Sequence, residues 1–79
     1  NIQYPEMAKE NGIQGKVFVQ FVVWKDGTIK DVKVVKGVHK TLDSEAQRVV
    51  KSMPKWTPGK QRGTAVNARF TLPIKFRIS

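Results

Sequence analysis

The chain predicts a two-layer α+β sandwich of order α-β-β-α-β. A three-stranded antiparallel sheet, in spatial order 2-1-3, has two helices on one of its faces. Three observations carry this prediction. The run Ala65 to Ile78 (AVNARFTLPIKFRI) alternates with Val66, Ala68, Phe70, Leu72, Ile74, Phe76 and Ile78 on one side and Asn67, Arg69, Thr71, Lys75 and Arg77 on the other, the period of a strand with one buried face. Lys16 to Trp24 (KVFVQFVVW) is β-branched and aromatic on both faces, as suits a central strand. Leu42, Ala46, Val49, Val50 and Met53 fall at i, i+4, i+7, i+8 and i+11, one apolar helical stripe.

In chain order, Tyr4-Pro5 opens a helix of barely two turns, and Asn11-Gly12 stops it. The first strand follows, and Lys25-Asp26-Gly27-Thr28 reads as a two-residue hairpin turn that returns Ile29 to Lys36 antiparallel beside it. Gly37 to Lys40 is a loop, and a side-chain oxygen within Thr41-Leu42-Asp43 caps a helix that runs to about Met53 before Pro54 ends it. Pro58-Gly59 reads as a turn and Lys60 to Thr64 as a mobile basic loop. A helical crossover then brings the last strand antiparallel to the first. Both helices cover Val17, Val19, Phe21, Phe70, Leu72 and Ile74. Pro73 has no N–H for a ladder, so it places the last strand at a sheet edge or marks a bulge there. An open edge is a surface on which another chain can add a strand.

Seventy-nine residues make one small domain that buries roughly 60% of its unfolded surface. Without cysteine there is no disulfide, thiolate metal site or cysteine nucleophile. The chain starts at Asn1 without Met and has no apolar run of about 18 residues, so it shows neither signal peptide nor membrane span. A net charge of +9 favours anionic partners, or simply keeps a small domain soluble. Nucleic acid is not expected, because the central strand has no RNP-type aromatic motif and no recognition helix is evident.

His39 lacks the companions of a closed zinc site and is read as a loop or capping residue. No serine has a histidine at motif spacing, and Asp26, Asp31, Asp43 and Glu45 are accounted for by a turn, a hairpin and a helix start. No enzyme activity, metal or cofactor is expected. Gly12 and Gly15 are read as structural, and Trp56 as a plug at the end of the core, with a binding platform as its alternative. Phe18, Val22 and Trp24, on the helix-free face, are equally a recognition patch or a surface covered by neighbouring side chains.

Taken together, Tyr4-Pro5-x-x-Ala8, Gly12-Ile13-x-Gly15-x-Val17-x-Val19-x-Phe21-x-Val23, Asp26-Gly27, Asp31-Val32-x-Val34, Leu42-Asp43-x-Glu45-Ala46, Trp56-x-Pro58-Gly59-Lys60 and Val66-Asn67-x-x-Phe70 resemble the C-terminal domain of the energy transducer TonB. The run Met53 to Trp56 and the ending Leu72 to Phe76 are similar to a Bacteroides-like variant of that family. The resemblance implies that residues 1–79 are one domain of a longer protein, periplasmic and anchored to the inner membrane through a missing N-terminal part. It implies force transfer from an inner-membrane proton-driven motor to outer-membrane transporters, whose TonB box adds a strand beside the last strand. That edge maps to Val66, Asn67, Ala68, Arg69, Phe70 and Thr71, and a second contact to Gln3 and Tyr4. A TonB-like sensor or scaffold that binds a peptide without transmitting force is the alternative. Strand exchange between copies, giving a homodimer, is open to the same edge.

Overall fold

A short helix, α1 (Glu6–Glu10), precedes the strands β1 (Gly15–Val23) and β2 (Ile29–Lys36). A longer helix, α2 (Lys40–Lys51), leads to β3 (Gly59–Gln61), β4 (Thr64–Val66) and β5 (Ala68–Phe76). The computed structural model describes residues 2–56 and 59–78. The three long strands form one antiparallel sheet in the order β2-β1-β5, and β3 and β4 form a separate two-stranded ladder. The expected order 2-1-3 is therefore found, with β5 as the third strand of the main sheet.

Each element follows from local chemistry. Pro5, with φ −58°, precedes the first turn of α1, where its missing N–H costs nothing. Gly12 takes φ +66°, and its N–H reaches Lys9 O while Ile13 N reaches Ala8 O at 2.8 Å, the paired bonds of a left-handed helix cap. His39 caps α2, its Nδ1 accepting from Thr41 N at 3.3 Å. Asp43 reaches back instead, accepting from Val38 N at 3.0 Å. The helix begins at Lys40 and ends at Lys51 with Ser52 as cap, two residues short of the expected Met53.

The core lies between the sheet and the helices. Val17, Val19, Phe21 and Val23 of β1 are fully buried, as are Ala8 of α1 and Leu42, Ala46 and Val50 of α2. Ile74 and Phe76 of β5 complete it. Trp56 closes one end: its ring meets Phe21 edge-on at 5.1 Å and Phe70 at 5.5 Å, and its backbone N–H donates to Gly27 O at 3.0 Å. Tyr4 closes the other, edge-on to Phe76 at 5.6 Å with its hydroxyl donating to Ile13 O. Trp56 is thus a plug. Phe70 is corrected from helix-covered to 36% exposed, since Trp56 and not a helix covers it.

Three local readings change. The β1–β2 connection is a three-residue loop, with Gly27 N on Trp24 O and Trp24 N on Thr28 O. Only Gly27 takes positive φ, +88°, so it is a type I turn with a bulge and not a two-residue turn. The segment read as a mobile loop is a hairpin, its turn made by Arg62 and Gly63 at φ +54° and +80°. The last strand is not continuous from Ala65: Thr64–Val66 pairs with β3, and the main-sheet strand starts at Ala68. Asn67 is the break, its Oδ1 accepting from Lys25 N at 2.8 Å. The expected Pro58-Gly59 turn falls partly outside the described residues.

β2 departs most from simple alternation. Its pairing with β1 slips twice, between Phe18 and Val19 and between Gln20 and Val22. Val35 is the extra residue at one slip, and Asp31, with φ +55°, sits in the other. The bulges rephase the sequence I-K-D-V-K-V-V-K. Lys30, Lys33 and Lys36 consequently stand opposite Val22, Gln20 and Phe18, all on the helix-free side.

Replacing Trp56 by Ala removes the ring that two core phenylalanines pack on, and an expected loss of about 2–4 kcal/mol follows. Urea unfolding measures it, and a loss below about 0.5 kcal/mol would show that the ring is not part of the core.

Candidate functional site

The two edges of the main sheet differ in kind. β2, one edge, is bulged twice and carries lysines. β5, the other, pairs with β1 over nine residues without a slip, from Gly15↔Phe76 to Val23↔Ala68. Regular pairing resolves the ambiguity of Pro73: it faces Phe18 in register, and no bulge surrounds it.

Pro73 also sets the direction of every backbone group on β5. It has no N–H, so the Phe18–Pro73 pair is one in which neither residue bonds the other. Residues two apart share that orientation. The peptide groups of Ala68, Phe70, Leu72, Ile74 and Phe76 therefore turn to β1, and those of Arg69, Thr71, Pro73 and Lys75 turn to the free edge. On the other side of β1, Trp24 N bonds Thr28 O, which is the phase that this assignment requires. The edge offers N–H donors at Arg69, Thr71 and Lys75 with a gap at Pro73, while carbonyl acceptors continue through all four.

The residues singled out from sequence divide into three groups. Ala68, Arg69, Phe70 and Thr71 lie together on this edge strand. Val66 belongs to β4, opposite Gly59, and Asn67 is the hinge between the hairpin and β5. Gln3 and Tyr4 lie at the opposite end of the sheet, beside Glu45 and Phe76. Eight residues separate Ala68 from Phe76, so that distance is about 26 Å. Lys75, which the alternation places on the wet face with Arg69, also extends the edge past the proline with its N–H, a role that alternation alone does not give. Counting in twos from Pro73 is the signal that finds it.

The edge is basic and unpaired. Arg69 and Lys75 are exposed, and neither makes an ion pair among the described residues. Among the described residues, no three His, Cys, Asp or Glu side chains are grouped to hold a metal. No helix among them is long and apolar enough to cross a membrane. The edge can thus bind a chain through its backbone, with acids on that chain meeting Arg69 and Lys75.

At the far end, Gln3 N donates to Glu45 Oε2 at 2.8 Å, and Arg48 bonds the same carboxylate at 2.7 Å. The Arg48 hydrogen bond holds the Glu45 carboxyl below its ordinary 4.5. A lowered carboxylate stabilises the fold above its unfolded value and loses that contribution as pH falls through the folded one. The Gln3 amide resonance is expected to titrate with a midpoint below 4.5 and to stop titrating in Glu45→Gln. An amide shift insensitive to acid would show that Gln3 is not held there.

Comparison with known proteins places this geometry. The chain matches the family described as Gram-negative bacterial TonB protein C-terminal over residues 1–78. It is 35% identical over 78 residues to the TonB protein of Pseudomonas aeruginosa, covering 95% of the chain and 22% of that protein. It is 41% identical over 51 residues to TonB of Helicobacter pylori strain J99, covering 63% of the chain and 18% of that protein. The chain therefore spans only about a fifth of the length of these relatives. The solution structure of the Helicobacter pylori TonB C-terminal domain superimposes with a TM-score of 0.77 at 30% identity, covering 99% of this chain and 70% of that one. A second solution structure of that domain gives 0.67 at 33% identity, covering 94% and 77%. From its hydrophobic pattern to its sheet order, the chain belongs to the TonB C-terminal domain family.

Proposed function

We propose that this chain is the periplasmic, transporter-binding domain of an energy transducer, one folded unit within a longer protein anchored to the inner membrane. It takes the N-terminal segment of an outer-membrane transporter as an added strand on β5, and it passes on force generated by an inner-membrane proton-driven motor. The observation that carries this reading is the unslipped nine-residue ladder of β5 on β1, which leaves a straight, unbulged edge, against the twice-slipped β2. A regular edge accepts a new strand, whereas bulges and lysines discourage one.

Backbone pairing tolerates many partner sequences, and this suits one domain serving several transporters. Pairing with Arg69, Thr71, Pro73 and Lys75 places the added strand parallel or antiparallel to β5, so a pull along it loads several hydrogen bonds together. Acids on the partner meet Arg69 and Lys75 at the wet face, and such rim charges mainly accelerate association. The Gln3 N–H and the Tyr4 hydroxyl have partners of their own in the domain, so we assign any contact this segment makes with the transporter to the exposed Gln3 side chain and not to those two groups.

Two proline substitutions separate edge from ladder. Thr71→Pro removes an outward N–H at a position equivalent to the Pro73 that the strand already tolerates. It is expected to weaken binding of a transporter N-terminal peptide at least about tenfold with little loss of stability. Leu72→Pro removes a bond to β1 and is expected to cost about 3 kcal/mol. Titration calorimetry and urea unfolding of the two variants test the assignment, and unchanged peptide affinity in Thr71→Pro would overturn it.

A further inference from the structure

The broad face of the sheet opposite the helices carries groups on β1 and β2 that strand addition at β5 does not use. β1 contributes Phe18 and Val22 to it, with Trp24 just beyond, and β2 contributes Lys30, Lys33 and Lys36 through its two bulges. β5 adds Arg69 opposite Val22 and Lys75 opposite Lys16. Lys30 Nζ sits 4.4 Å from the centre of the Trp24 ring, and Lys36 Nζ 5.9 Å from that of Phe18. Among the described residues none of these cations makes an ion pair, and no helix covers them. The acids are elsewhere: Glu6 and Glu10 on α1, Asp43 and Glu45 on α2, and Asp26 in a turn, so that Asp31 is the sole acid in any strand. Charge is therefore polarised across the two layers.

We infer that this face lies on the surface of an anionic phospholipid bilayer, with Trp24 and Phe18 at headgroup depth and the lysines and Arg69 among the phosphates. Three features favour a membrane over other anionic partners. The cations are spread over three adjacent strands, on both sides of the β1 rings, which suits a broad anionic surface. The two aromatic rings are capped by ammonium groups, which leaves them poor platforms for stacked bases. Aromatic rings flanked by lysines whose stems run over apolar surface and whose heads reach phosphates are the pattern of a protein at a membrane interface. A second copy of the chain would bring like charges together. The face is perpendicular to the β5 edge groups, so bilayer contact leaves the peptide groups of that edge open, and the β2 lysines and β1 rings that carry the inference take no part in strand addition.

Vesicle sedimentation tests it. The domain is expected to bind phosphatidylcholine vesicles containing phosphatidylglycerol, to bind pure phosphatidylcholine weakly, and to release as salt is raised. Replacing Lys30, Lys33 and Lys36 together by Gln should reduce binding about 100-fold. Replacing Lys9, Lys40 and Lys51 of the helix layer by Gln removes the same charge and should have little effect. Trp24→Ser should also weaken binding, since a merely electrostatic surface would not notice it. Equal losses from both triple variants would overturn the proposal by showing that only net charge matters. So would binding to poly-glutamate that exceeds vesicle binding, or a domain that dimerises through this face. Amide spectra of the variants establish that each is folded, so a loss of binding reads the face itself.

Discussion

The pairing of β1 with β5 is the constraint on which the rest of the molecule depends. In β1 the odd residues send their side chains into the core and their peptide groups to β5, so Val17, Val19, Phe21 and Val23 are buried by the same geometry that builds the ladder. Every long strand of the sheet then has its phase set by this pairing. The helices pack on the side chains it presents, and Trp56 and Tyr4 close the ends of the layer it defines. A slip of one residue would turn the apolar side chains of β5 outward and its edge donors inward. Core and candidate binding edge are thus two sides of one register.

That register also separates the uses of the two sheet edges. β2 is held in line by two bulges, each of which spoils its outer row of peptide groups while keeping Ile29, Val32 and Val34 toward the core. β5 needs no bulge because its sequence alternates strictly, and its one proline falls where the missing N–H faces away from β1. An alternating strand with its proline at an outward position is therefore a strand built to be paired on one side and left open on the other. The same bulges gather Lys30, Lys33 and Lys36 on the open face, so one local irregularity shapes both an edge and a surface.

Much of this was legible in the residues. The alternation of β5, the doubly apolar β1 and the apolar stripe of α2 led to the sheet order and to the layer that covers it, because burial imposes those periods. The helix stop at Gly12 was also readable, since it rests on local chemistry, whereas the cap of α2 was expected from an oxygen within Thr41-Leu42-Asp43 and is made by the ring of His39. The bulges of β2 were not: I-K-D-V-K-V-V-K is compatible with several phases until a partner strand selects one, and Asp31 gives no warning that it takes positive φ. The break at Asn67 was hidden for a similar reason. Thr64–Val66 alternates as well as β5 does, and only the end of β1 at Val23, with the amide of Asn67 turned to Lys25, ends the main ladder there. The candidate edge was located by its proline, but which peptide groups it offers required the register.

Amide hydrogen exchange across β5 tests the central claim most directly, because it reads the orientation of each N–H without mutation. In the free domain, Phe70, Leu72 and Ile74 should exchange slowly and Arg69, Thr71 and Lys75 fast, an alternation interrupted only by Pro73. Adding the N-terminal peptide of a transporter should slow Arg69 and Thr71 and leave the even residues unchanged. Uniform protection along β5 in the free domain, or peptide binding that leaves Arg69 and Thr71 fast, would contradict strand addition at this edge.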